Sequence, residues 1–303
     1  MPIDIRAVAK QILFDILRVR AINELLRRLR EPLLLLLPGR MVGRIPVVGQ
    51  VKVCTPDSVV VLLESDGTDS LASSLYWSGL QAFEPETVNL YMHLLRHASV
   101  VFDIGAYTGL YTLLAAVERR DRTVHAFEPV PKTFEALVRN VEVNNLDNVH
   151  PVWTAVADID GETQLYIPQS TTLPFTASIK KGFRKVQTST AVPVLTIDAY
   201  VEANGVPCVD LMKIDTEGTE HQVLRGARTV LERDSPLIIC EVLKGLTETL
   251  LHGLLDGTSY RYFHITKAGL VQKEAIEGDE NYTERNFLLI PEDRIRVVLQ
   301  GLC

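Results

Sequence analysis

Apolar positions along the chain follow two rhythms. Val100, Val101, Phe102 and Ile104 form a nearly continuous run, as do Val124 to Phe127, Val209 to Ile214 and Leu237 to Cys240. Runs of this kind suit parallel strands covered on both faces. Helical spacing separates them. Leu110, Leu113 and Leu114 mark the inner face of one helix, and Phe134, Leu137, Val138 and Val141 mark a second over Thr133 to Val143. His150 to Val156 reads as a third strand, Gly218 to Leu231 as the helix after the fourth, and Tyr260 to Ile265 with Phe287 to Ile290 as the last two strands. Alternating strands and helices predict an α/β domain over 99–303, built on an open, mostly parallel sheet. Gln164 to Val194 breaks the alternation. It is rich in Thr and Ser with short β-prone runs, and predicts a β insertion outside the parallel sheet. Lys180, Lys181, Arg184 and Lys185 make it basic, as in a solvated hairpin or, less simply, a contact for an acidic acceptor.

The first 40 residues carry a different pattern. Ile5, Val8, Ile12, Ile16 and Val19 trace a broad apolar stripe at helical spacing, continued by Ile22, Leu25, Leu26 and Leu29, with arginines and a lysine interleaved. The stripe predicts a helix packed on the rest of the chain or on a second copy; a basic amphipathic helix lying on a membrane is the alternative. Leu33 to Leu37 is too short to span a bilayer, and charges interrupt every candidate secretory core before it. Over 41–98, β-prone runs punctuated by Gly49, Pro56 and Gly67 predict a small antiparallel ribbon, and Glu84-Pro85 a helix start.

Composition narrows the classes. With 303 residues, 47% hydrophobic and 23% charged, the chain can bury a sizeable core, and a net charge of -7 gives no reason to expect nucleic acid. Charge is uneven: residues 1 to 50 hold nine Lys/Arg against four Asp/Glu, a balance of +5 that leaves -12 for the remainder. Four cysteines without C-x-x-C spacing indicate neither a zinc site nor a disulfide framework, which fits a cytoplasmic setting.

The chemistry starts at the turn after the first strand, Asp103-x-Gly105-Ala106-x-x-Gly109. A dinucleotide fold wants G-x-G-x-x-G, whose amides receive a pyrophosphate. Asp103 disfavours a phosphate and suits an ammonium or sulfonium group. S-adenosylmethionine carries both. Glu128, at the end of the second strand, is placed to accept both hydroxyls of a ribose, a device that NAD enzymes share. Asp103, Glu128, Asp215 and Glu241 all fall at strand ends, where open parallel sheets bind their ligands.

These residues, with Phe127-Glu-Pro129, Leu195-Thr-Ile-Asp198, Lys213-Ile-Asp-Thr-Glu-Gly218, Leu224-Arg-Gly-Ala227 and Asn286 to Pro291, resemble the FkbM family of S-adenosylmethionine-dependent methyltransferases. The resemblance implies a class I methyltransferase (Rossmann-like) fold with an antiparallel last strand, and methylation of a hydroxyl on a sugar, glycan or natural product. It implies cofactor contacts from Asp103, Gly105, Ala106, Gly109 and Glu128, with Ala155 and Val156 against the adenine, and cover of the active site by residues 41–98, where Tyr76 and Trp77 either line an acceptor pocket or pack the segment onto the core. For the chemistry, Asp215 is the first candidate to orient or deprotonate the acceptor, with Glu217 and Glu241 next. The two strand-end carboxylates could share a divalent cation, but a metal-free site is expected because Glu217 alone stands at a third ligand position. An NAD-dependent oxidoreductase and a non-catalytic cofactor-binding module are the rival readings.

Overall fold

A computed structural model describes residues 5–168, 170, 172–183 and 187–300. Its centre is an eight-stranded sheet. β1 (Val48–Cys54) and β2 (Val60–Asp66) pair outside it as the expected antiparallel ribbon. β3 (Val100–Ile104), β4 (Thr123–Phe127) and β5 (Val149–Val152) begin the sheet. β6 (Ala155–Val156), β7 (Gly161–Pro168) and β8 (Gln187–Leu195) leave it, and β9 (Leu211–Ile214), β10 (Leu237–Glu241), β11 (Tyr260–Thr266), β12 (Gly269–Lys273) and β13 (Asn286–Pro291) return to it. Spatial order is β12-β11-β13-β10-β9-β3-β4-β5. Strands β10, β9, β3, β4 and β5 are mutually parallel, and β13 inserts antiparallel between β10 and β11. That is the class I methyltransferase sheet. Strand order reverses at β3, so the ends of β3, β4, β9 and β10 open onto one crevice.

Three expectations change. The third strand stops at Val152 rather than Val156: Pro151 lacks an N–H and sits on the edge strand, and Ala155–Val156 turns away to pair with β8. Trp153 is 43% exposed at that break, its Nε1 donating to the Pro129 carbonyl at 2.9 Å. The helix after β9 is two helices, Glu220–Arg225 and Arg228–Asp234, parted at Gly226. There the backbone presses so closely on Ala157 that a Cβ would strike its carbonyl. β12 was not expected. Two histidines are packed groups: His125 Nδ1 lies 2.8 Å from the Tyr200 hydroxyl, and His264 Nε2 lies 2.7 Å from the Glu284 carbonyl.

The N-terminal stripe folds as α1 (Ile5–Arg18), α2 (Arg20–Arg28) and α3 (Arg30–Leu36). Polar groups dock these helices. Asn23 is buried and binds the Leu17 and Pro46 carbonyls and the Val48 N–H; Arg27 donates to the Val48 and Gln50 carbonyls at 2.7 and 2.6 Å. Tyr76 lies under Arg27 and Arg30, whose guanidinium carbons stand 4.8 and 5.7 Å from its ring centre, and Trp77 is buried with Nε1 on the Ile45 carbonyl. Both aromatics therefore serve this docking and neither lines the central cavity.

Candidate active site

Asp103 ends β3 and is buried, its Oδ2 accepting from the Thr112 hydroxyl at 2.6 Å. Burial, opposed by Thr112 and Lys213, pushes its carboxyl up to about 6. The chain then reverses at Gly105, where φ is +81° and an added Cβ would run into the Asp215 carbonyl. The Gly105 and Ala106 amides both donate to the Phe127 carbonyl at 3.0 Å, so the turn is held by β4. Gly109, at φ +94°, starts the helix Leu110–Glu118 and lies against Leu137.

Glu128 follows β4. Its Oε2 accepts from the Tyr107 N–H and its Oε1 from the Val130 N–H, both at 2.9 Å. Burial outweighs those two donors and pushes its carboxyl up to about 8. The carboxylate still has lone pairs on the cavity side, where it lines the wall with Asp103, Ala155 and Val156.

Across the crevice, β9 delivers Lys213 and Asp215. Lys213 is buried, and its Nζ reaches Asp215 Oδ2 at 2.9 Å. Burial alone would raise the Asp215 pKa, but Lys213, with Arg285 behind it, leaves it below the ordinary carboxylate range. Glu241, ending β10, goes the other way. Burial and the Asp215 and Glu217 charges push it well up, against the opposing contact of Arg285 Nη1 at 2.6 Å. The two carboxyls are thus pushed in opposite directions, Asp215 down by Lys213 and Glu241 up by burial and its acidic neighbours. Glu217 takes a left-handed φ of 57° and its carbonyl accepts from the Ser178 hydroxyl at 2.9 Å. Asp215, Glu217 and Glu241 each offer a carboxylate oxygen within 4.8 Å of the others, a set that could hold a hard cation. Lys213 and Arg285 already neutralise part of that charge.

A cavity of about 340 Å³ joins the two halves, within the size range of small-molecule sites. Leu71, Phe83 and Glu84 of the 41–98 region line it, and so do residues 174 to 179 of the connection between β7 and β8, which the sequence predicts as a solvated hairpin or a contact for an acidic acceptor. Phe175 stacks on Tyr107 with ring centres 4.1 Å apart. Arg184 and Lys185, from the same connection, lie outside the described residues.

Several lining residues carried no sequence signal. Glu84 accepts from the Tyr111 hydroxyl at 2.9 Å and from Asn286 Nδ2 at 3.2 Å, and Arg285 stands 3.8 Å from it. Lys213 lay inside a quoted motif without a role. His221, on the helix after Asp215, is buried and does not line the cavity.

Residues 103–256 match the model of the methyltransferase FkbM domain. Over 166 residues the chain is 30% identical to the 31-O-demethyl-FK506 methyltransferase FkbM of Streptomyces tacrolimicus, covering 44% of this chain and 60% of that one. Over 165 residues it is 27% identical to the hexuronic acid methyltransferase AglP of Haloferax volcanii, covering 54% and 64%. The match thus spans about three fifths of these relatives' length. Among solved structures, a methyltransferase FkbM from Methylobacillus flagellatus KT is similar at 15% identity and a TM-score of 0.41, over 64% of this chain and 43% of that one.

Proposed function

The chain belongs to the FkbM methyltransferase family, and on that premise we propose that it moves the methyl group of S-adenosylmethionine to a hydroxyl of a sugar, glycan or natural product. One observation carries the reading. A ribose-type acid on β4 and a buried acid on β3 face, across a single cavity, a second acidic group on β9 and β10. The first set fits the cofactor by its chemistry: Glu128 retains acceptor capacity for a ribose diol, Asp103 offers a buried negative charge to an ammonium or sulfonium, and Ala155 and Val156 supply apolar wall for an adenine.

When bound, that cofactor supplies an electrophilic methyl on sulfur. The chain's own residues position and deprotonate the acceptor. Asp215 accepts the hydroxyl proton, with Lys213 holding it ionised and aimed. A carboxylate with a lowered pKa is a weak base, so most of its effect is orientation, with proton transfer late in the reaction. Glu241, held by Arg285 at 2.6 Å, closes the acceptor side beside Glu84. Glu217 forms the remaining acidic wall beneath the β7–β8 connection. The relatives named for 31-O-demethyl-FK506 and for hexuronic acid support a small-molecule acceptor. We assign the reaction to the cytoplasm, where thiols such as Cys54 and Cys208 persist.

The test incubates the full chain with methyl-labelled cofactor and a panel of hexuronic acids, neutral sugars and macrocyclic alcohols. Label on an acceptor oxygen, unaffected by a chelator, is expected. Cofactor binding without transfer to any hydroxyl would favour a non-catalytic module, and loss of transfer with a chelator, restored by magnesium, would move Asp215, Glu217 and Glu241 to a metal site.

A further inference from the structure

The N-terminal helices are inside out for a water-soluble surface. A surface helix normally turns its apolar stripe to the core and its charges to solvent. Here Arg18, Asn23, Arg27 and Arg30 face the protein and bind its backbone or acids. The apolar stripe faces out: Ile12 is 54% exposed, Leu13 56%, Leu25 56% and Leu35 87%, with Ile16 and Leu29 between them. A contiguous apolar face of this kind marks a contact with something outside the chain.

We propose that α1 to α3 lie on an anionic lipid surface and hold the protein there. Charge selects this occupant. Lys10 is three residues from Leu13, and Arg28 three from Leu25, so each flanks the stripe by one helical turn. Both are exposed and neither makes an ion pair among the described residues. The acids on these helices are spoken for: Glu24 pairs with Arg20, Glu31 with Arg30, and Asp15 accepts from Gln11. The first 50 residues carry +5 and the rest -12, so an anionic surface attracts this end and repels the other, which sets orientation as well as affinity. A second copy meets the opposite condition. A two-fold contact through the same face would set the exposed basic rim of one copy, Lys10 and Arg28, against the same rim of the other. No helix among the described residues is long and apolar enough to cross a bilayer, as a helix lying in the interface requires none.

Sedimentation of the full chain with vesicles of phosphatidylcholine, alone or mixed with phosphatidylglycerol, tests the proposal. Binding should need the anionic lipid. The double variant Ile12→Asp, Ile16→Asp should weaken it on the order of tenfold or more, whereas Ile159→Asp, an exposed apolar residue elsewhere on the chain, should not. Both sites are exposed, so unchanged circular dichroism is expected, and Lys10→Glu with Arg28→Glu gives a second route that leaves the apolar face intact. No binding to anionic vesicles, equal binding by the double variant, or equal loss in Ile159→Asp would overturn it. So would a dimer, by light scattering, that the double variant dissolves without any vesicle effect.

Discussion

Glu128 should make cofactor binding proton-linked. Its carboxyl is pushed up to about 8 by burial, despite the N–H groups of Tyr107 and Val130. At pH 7.0 about nine in ten of these groups therefore keep a proton. Ribose hydroxyls donating to it favour the ionised form, so binding at pH 7.0 should release about 0.9 proton. Between pH 6.0 and 7.5 the ionised fraction rises from about 1% to about 24%, and affinity should tighten about twentyfold. Calorimetric titrations in two buffers of different ionisation enthalpy measure the proton count, and a pH series measures the slope. The methionine amino group titrates at about 8 and Asp103 at about 6, and both remain in Glu128→Gln. The variant should bind more weakly, since its amide nitrogen faces a backbone N–H, and should lose the Glu128 part of the slope. A folded pKa raised above the unfolded value also gives stability that is complete below about 4.5 and lost as pH climbs through about 8. The cofactor-free protein should thus melt lower at pH 8.5 than at pH 5.5, less so in the variant. An identical pH slope in wild type and Glu128→Gln would refute the ribose assignment.

Two further perturbations separate the halves of the site. Asp215→Asn keeps an oxygen for Lys213, so cofactor affinity should stay within a few-fold while turnover falls on the order of 10²-fold or more; full turnover in a labelled-methyl assay would remove Asp215 from the chemistry. Gly105→Ala combines a φ of +81° with a Cβ driven into the Asp215 carbonyl, and should cost about 2 kcal/mol or more of stability, read as a lower melting temperature; an unchanged melt would contradict the crowding at that turn.

The α/β sheet was legible because its strands are buried on both faces, so Val100 to Phe102 and Leu237 to Cys240 carry an unbroken apolar signal closed by an acid. The same logic named Asp103, Glu128, Asp215 and Glu241 in advance, since a carboxylate closing an apolar run is conspicuous. Glu84 and Arg285 gave no such signal. They meet across some two hundred residues of chain, and each sits beside ordinary loop residues. The outward stripe of α1 and α2 was hidden for a different reason: Arg27 docks on backbone carbonyls, and a carbonyl partner leaves no trace in residue identity. Phe175 escaped because the β7–β8 connection has no periodic pattern, and its cover of the cavity depends on a stack with Tyr107 that only the fold creates.

The central claim is that the β3–β4 side of the cavity holds S-adenosylmethionine and the β9–β10 side holds the acceptor. A crystal structure of the full chain with S-adenosylhomocysteine tests it most directly. The account predicts both ribose hydroxyls within hydrogen-bond distance of the Glu128 carboxylate, the adenine against Ala155 and Val156, and the sulfur turned toward Asp215. A cofactor seated elsewhere, or a ribose without contact to Glu128, would contradict it.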